Sequence, residues 1–199
     1  QRGRLSTSME ARGEGQSSRG GGAGASRLIV ALDLPTLGEA LAVARRLRRL
    51  VRTVKIGSAL FTQVGPEAVR RMRALGFEVM LDLKFFDIPS TVERSVRAAT
   101  QHQVRWLTVH ASGGEPMLRA AVKAARSEAR RLGVTRPRVL AVTVLTSDGA
   151  SGTSRLTRRV LELAGEASRA GCDGVVASAH EASAIRRRFG KRLSIFCPG

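Results

Sequence analysis

The chain has 199 residues, 43% of them hydrophobic, and a formal net charge of +18. That length suits one domain, and that apolar content supports a sizeable core and excludes global disorder. No apolar run approaches the ~20 residues of a membrane span, the N-terminus lacks the apolar core of a signal peptide, and two cysteines exclude a disulfide framework.

Residues 1–26 are rich in Gly, Ser and Arg, and the stretch Arg19-Gly20-Gly21-Gly22-Ala23-Gly24 has nothing to bury, so a disordered tail is expected there. The chain begins with Gln, and Met9 is a candidate internal start. From residue 27 onward, strand and helix patterns alternate, and residues 27–199 read as one domain. The first strand is expected over 28–33, ending in Asp33. A helix over 36–50 follows, with apolar Leu37, Leu41, Ala44 and Leu47 on one face and Thr36 as N-cap. A strand over 53–56 and a helix over 66–75 come next, the helix closing at Gly76. Strands over 78–84, 106–110, 139–145, 174–177 and 193–196 then alternate with helices over 90–101, 115–132, 157–170 and 181–189. The Gly- and Ser-rich connection 148–155 reads as mobile.

The strands are nearly continuous apolar runs, the mark of parallel strands buried on both faces. Two parallel architectures fit: the doubly wound sheet and the barrel. A doubly wound sheet favours a glycine-rich phosphate turn after its first strand. Here that turn is Asp33-Leu34-Pro35-Thr36. The barrel is therefore expected.

The charge has two readings. A basic face can bind nucleic acid, but 30 Arg against 4 Lys is the mark of codon bias. The arginines sit mainly on helices, as in Arg45, Arg46, Arg48 and Arg49, or Arg186, Arg187 and Arg188, and such runs are usually solvated faces. No aromatic residues alternate with them as stacking platforms, so no nucleic-acid partner is expected. A phosphorylated small substrate could still be steered by the field. Cys172 and Cys197 fit no metal or redox spacing and are read as buried thiols of a reducing cytosol.

In a barrel, function sits at the C-terminal ends of the strands. Those ends carry Asp33, then Lys55 and Gly57, then Asp82, Lys84 and Asp87-Ile88-Pro89. After them come His110-Ala111-Ser112-Gly113-Gly114, Thr146-Ser147 and Ser178. Charges in apolar strands are costly unless they pair or work. In Leu81-Asp82-Leu83-Lys84, alternation turns the leucines one way and Asp82 and Lys84 the other, into the barrel mouth. An ion pair that merely fills the barrel is the plain alternative, though a buried pair rarely repays its desolvation. Among the four lysines, Lys55 and Lys84 stand at strand ends, while Lys123 and Lys191 fall in a helix and a loop. An ammonium can give up a proton and a guanidinium effectively cannot, which is a chemical reason to keep lysine at those two ends.

These residues resemble the signature of the orotidine 5′-phosphate decarboxylase family. The resemblance rests on Asp82-Leu83-Lys84-Phe85-Phe86-Asp87-Ile88-Pro89. Ala31-Leu32-Asp33, Lys55-Ile56-Gly57 with Leu60-Phe61, Val109 to Gly114, and Val142-Thr143-Val144-Leu145-Thr146-Ser147 add to it in order across residues 28–199. The Asp-x-Lys-x-x-Asp motif also occurs in related barrels, the ketogulonate phosphate decarboxylases and hexulose phosphate synthases. Those carry a Glu-containing stretch and a Mg²⁺ site where this chain has Lys55, so the lysine favours the orotidylate branch.

The resemblance implies a (β/α)8 barrel that decarboxylates orotidine 5′-phosphate to UMP without metal or organic cofactor, as a cytoplasmic homodimer. It implies Lys84 as proton donor to C6 of the pyrimidine, Asp82 against the substrate carboxylate, and Lys55 completing the charge array and contacting the ribose. It places Asp33 on a ribose hydroxyl, Asp87 in the partner's site, Thr91 in that shared region, Ile88, Pro89 and Thr91 among the substrate-binding residues, and Thr146 facing the base. The family pattern continues past Gly199 with an arginine, a glutamine-bearing phosphate loop and an eighth strand. Seven strands and little or no turnover are therefore expected of these 199 residues. Two alternatives stay open: an inactive remnant of that enzyme, and a sugar-phosphate decarboxylase or aldolase of the same superfamily.

Overall fold

The computed structural model describes residues 27–144 and 154–198. The tail 1–26, Thr146, Ser147 and most of the 148–155 connection lie outside the described residues. The strands are β1 (Ile29–Ala31), β2 (Thr53–Gly57), β3 (Glu78–Phe85), β4 (Trp106–His110), β5 (Arg138–Val142), β6 (Gly174–Val176) and β7 (Ser194–Phe196). The helices are α1 (Leu37–Leu47), α2 (Ser58–Val64), α3 (Pro66–Ala74), α4 (Pro89–Gln101), α5 (Gly114–Leu132), α6 (Ser154–Ala170) and α7 (Ala179–Phe189).

All neighbouring strands pair in parallel, and their spatial order is the chain order, β1 through β7. A doubly wound sheet reverses its order part-way, so this progression is that of a barrel. The sheet curls. The rings of Trp106 on β4 and Phe196 on β7 meet with centroids 6.2 Å apart, whereas three strand spacings in a flat sheet would separate those strands by about 14 Å. Among the described residues there is no eighth strand, and β1 and β7 are the edges of the sheet.

The reasons for the elements are local. Thr36 caps α1 by accepting a hydrogen bond from the Glu39 amide at 3.2 Å. Gly76, at φ +91, takes the left-handed step that ends α3 and turns the chain into β3. Val139, Leu140, Ala141 and Val142 are all buried, as a strand covered by the barrel interior on one face and helices on the other must be. Helix α2 is the element that periodicity did not reveal. It is seven residues long and buries Leu60 with Phe61 and Val64 half-covered, too short a pattern to stand out.

Arg45 and Arg46 of α1 and Arg187 and Arg188 of α7 are exposed, as expected, but Arg186 donates to the Gly190 and Leu193 carbonyls, and other arginines brace the helix layer. Glu128 on α5 is 3% exposed and accepts from Arg131 (2.6 Å), Gln101 (3.1 Å) and Arg97 (3.4 Å), tying α4 to α5. Its carboxyl is held down to about 2, first by the Arg131 hydrogen bond and then by Gln101. Cys172 is buried, and burial pushes its thiol up to about 12. Cys197 corrects the sequence reading: it is exposed, because β7 ends at Phe196 and the chain beyond it is uncovered.

Candidate active site

Four of the expected residues converge at one end of the sheet. Asp33 lies just past β1, Lys55 on β2, and Asp82 and Lys84 on β3. The Lys55 ammonium sits 3.1 Å from Asp33 Oδ2 and 3.4 Å from Asp82 Oδ2. The Lys84 ammonium donates to the same Asp82 oxygen at 2.9 Å. Charges therefore alternate along the array, Asp33, Lys55, Asp82, Lys84, and each ion has an opposite neighbour. These four line a cavity of about 460 Å³ together with Leu34, Pro35, Gly57, Ser58 and Ala59.

Asp82 is the most enclosed of the four, with 8% of the residue exposed. Burial pushes its carboxyl up. The Lys84 and Thr108 hydrogen bonds and the Lys84 and Lys55 charges outweigh that, so it lies below its usual value and is ionised near neutral pH.

The alternation expected for β3 gave the right partners by a different geometry. Register with β4 runs Met80 to Trp106 and Leu81 to Leu107, then jumps to Phe85 opposite Val109. Three residues, Asp82 to Lys84, therefore face the single residue Thr108. Within this bulge Lys84 has φ +47, the left-handed region that favours glycine. Holding a lysine there costs about 1–3 kcal/mol. Strain of this kind concentrates where side-chain direction matters.

Other neighbours were legible only in part. A Cβ at Gly57 would lie 2.6 Å from Asp33 Oδ1, so only glycine lets β2 pass beneath that carboxylate undisturbed. The N-terminus of the unforeseen helix α2 supplies Ser58 and Ala59 to the cavity wall. His110 ends β4 and packs against Phe86 edge to face at 5.7 Å. Burial lowers its pKa, the Lys84 charge adds to this, and Asp82 partly opposes it. Thr108 was passed over because a threonine inside an apolar strand reads as filler.

Asp87 does not line the cavity. It is exposed, and its Oδ1 accepts from the Ile88 amide at 2.6 Å, shaping the turn before α4. Ile88 is the N-cap of α4, Pro89 opens that helix, and Thr91 is half-buried in its first turn, where Arg94 donates to its hydroxyl at 3.3 Å. Phe86 and Ile88, on either side of Asp87, are 61% and 64% exposed. Thr146 falls outside the described residues.

The sequence model of the Orotidine 5′-phosphate decarboxylase / HUMPS family matches residues 26–199. The chain belongs to this family. A relative from Halorhodospira halophila named orotidine 5′-phosphate decarboxylase is 45% identical over 183 residues, spanning 88% of this chain and 75% of the relative. One of the same name from Nitrosococcus oceani is 41% identical, over 87% of this chain and 75% of its own. In structure, orotidine 5′-phosphate decarboxylase from Lactobacillus acidophilus superposes with a TM-score of 0.78 at 30% identity, covering 87% of this chain and 81% of that one. The family's fold and the seven curled parallel strands agree.

Proposed function

We propose that this chain decarboxylates orotidine 5′-phosphate to UMP, the last step of UMP biosynthesis. The observation that carries the reading is the alternating array of Asp33, Lys55, Asp82 and Lys84 in one cavity of a family member.

The chemistry follows from the charges. The bond from C6 to the carboxylate breaks, CO2 leaves, and the electron pair stays on C6. An ammonium at that carbon stabilises the developing charge and then supplies the proton. Lys84 takes that role, and solvent restores its proton. Asp82, ionised and fixed between two lysines, stands against the substrate carboxylate and repels it until CO2 departs. Lys55 neutralises the excess negative charge and reaches the ribose, whose hydroxyl Asp33 holds. No metal or organic cofactor takes part.

The reading extends to assembly. Asp87 points into the site of a second copy in a homodimer, with Ile88, Pro89 and Thr91 in the shared region. Exposed Phe86 and Ile88 beside Asp87 support this, since such apolar side chains are the usual centre of an interface. Among the described residues no helix is long and apolar enough to cross a membrane. We place the protein in the cytoplasm, where its two thiols stay reduced.

The test is incubation of the purified protein with orotidine 5′-phosphate, following loss of the orotate absorbance and formation of UMP. Turnover above the uncatalysed rate, unaffected by EDTA and yielding equal UMP and CO2, is expected. Consumption of a keto-sugar phosphate with no UMP formed would move the chain to the sugar-phosphate branch.

A further inference from the structure

Thr108 is fully buried on β4, opposite the three-residue bulge of β3. Its hydroxyl has one proton, and that proton goes to Asp82 Oδ1 at 2.9 Å. The Thr108 hydroxyl oxygen in turn accepts the Lys84 backbone N–H at 2.9 Å. One hydroxyl thus joins the Asp82 side chain to the Lys84 main chain at the point where φ is +47. With Oδ1 occupied, Asp82 presents Oδ2 to both lysines. Thr108 is not among the residues that line the cavity.

We infer that Thr108 is a positioning residue for the reaction: its hydroxyl sets the direction of Lys84 and the rotamer of Asp82 together. The inference rests on the decarboxylase reading. A ladder position that only filled space would be served by valine, as at Val109 next to it. A hydroxyl that accepts and donates in fixed directions removes two freedoms at once, the Lys84 peptide orientation and the Asp82 rotation, and misplacement of about 1 Å at a reacting centre can slow turnover roughly 100-fold.

Asp82 is faced by Lys84 on its own strand, Lys55 on β2, and Thr108 and His110 on β4, with Asp33 beyond Lys55. Deleting the hydroxyl removes one contact that favours the ionised carboxylate, so the Asp82 titration should move to higher pH.

The experiment compares Thr108→Val with Thr108→Ser. Thr108→Val should lower kcat roughly 10- to 100-fold, change KM by less than about threefold, and move the acid limb of kcat upward in pH. Thr108→Ser should return kcat to within about threefold of the parent. Carbon-13 titration of the Asp82 carboxyl, assigned with Asp82→Asn, reads the same contact without substrate, so failure of the decarboxylase reading would not mask the result. If Thr108→Val does not fold, the pair Thr108→Ser and Thr108→Ala isolates the hydroxyl. A variant without the hydroxyl that keeps its kcat and its Asp82 titration while only its melting temperature falls would overturn the inference. So would a serine variant as slow as the valine one.

Discussion

Replacing Gly57 by alanine should damage catalysis while leaving stability almost untouched. The added Cβ would sit 2.6 Å from Asp33 Oδ1 and 3.5 Å from the Lys55 ammonium. Asp33 must retreat by about 0.8 Å to reach ordinary contact. It can do so cheaply, because its side chain is 56% exposed. The cost of loosening its pair with Lys55 is that of a half-exposed ion pair, about 0–1 kcal/mol. Gly57 has φ −87, which alanine adopts without strain, so the stiffer unfolded chain returns about 0.4–1 kcal/mol. The melting temperature should therefore barely move. Catalysis has no such offset. A carboxylate hydrogen bond to a ribose hydroxyl contributes about 1.5–3 kcal/mol, so kcat/KM should fall about 10- to 150-fold. Initial rates of UMP formation for Gly57→Ala, Asp33→Ala and the double variant measure this. If glycine acts through Asp33, the double variant is no slower than Asp33→Ala alone. Wild-type kcat/KM in Gly57→Ala, or fully additive losses, would refute the reasoning.

Three further outcomes are expected. Glu128 titrates at about 2 in the folded chain against 4.5 ordinarily. The unfolded chain thus binds the extra proton first, and the stability this group contributes is complete above about pH 4.5 and lost as pH falls toward 2. Glu128→Gln should flatten that part of a melting-temperature profile, and an unchanged acid slope would show that the Arg131–Glu128 bond is not made. In the native protein a thiol reagent should label exposed Cys197 and spare buried Cys172, and both should react after unfolding; mass spectrometry of the labelled peptides decides it. Mixing Lys84→Ala and Asp87→Ala chains should restore partial activity, because one of the two hybrid sites has both residues intact. Hybrid dimers that form without any recovery would count against a shared site.

Much of the fold was legible because parallel barrel strands announce themselves: continuous apolar runs such as Val139 to Val142, separated by helices with caps like Thr36 and stops like Gly76. What stayed hidden depended on distance in space. Helix α2 is too short to show a period, yet it builds one wall of the cavity through Ser58 and Ala59. The pairing of Asp82 with Lys84 followed from alternation, but the strand is bulged and Lys84 reaches Asp82 from a left-handed backbone. Nothing local signals that bulge. It is visible only as three residues opposing Thr108, a partner 24 positions beyond Lys84. Cys197 was misjudged because residue type predicts burial only where later chain covers the strand end. Asp87 was expected at the mouth, and its exposed place beside Phe86 and Ile88 follows from leaving the sheet before α4.

The central claim is that the Lys84 ammonium supplies the proton to C6. Its most direct test is single-turnover decarboxylation by Lys84→Ala and Lys84→Arg beside the parent protein, with circular dichroism to establish that each is folded. Both variants should fall to the uncatalysed rate while keeping the parent's spectrum, the arginine one because a guanidinium is a poor proton donor. Near-parental turnover in folded Lys84→Ala would contradict the account, since another acid would then protonate the ring.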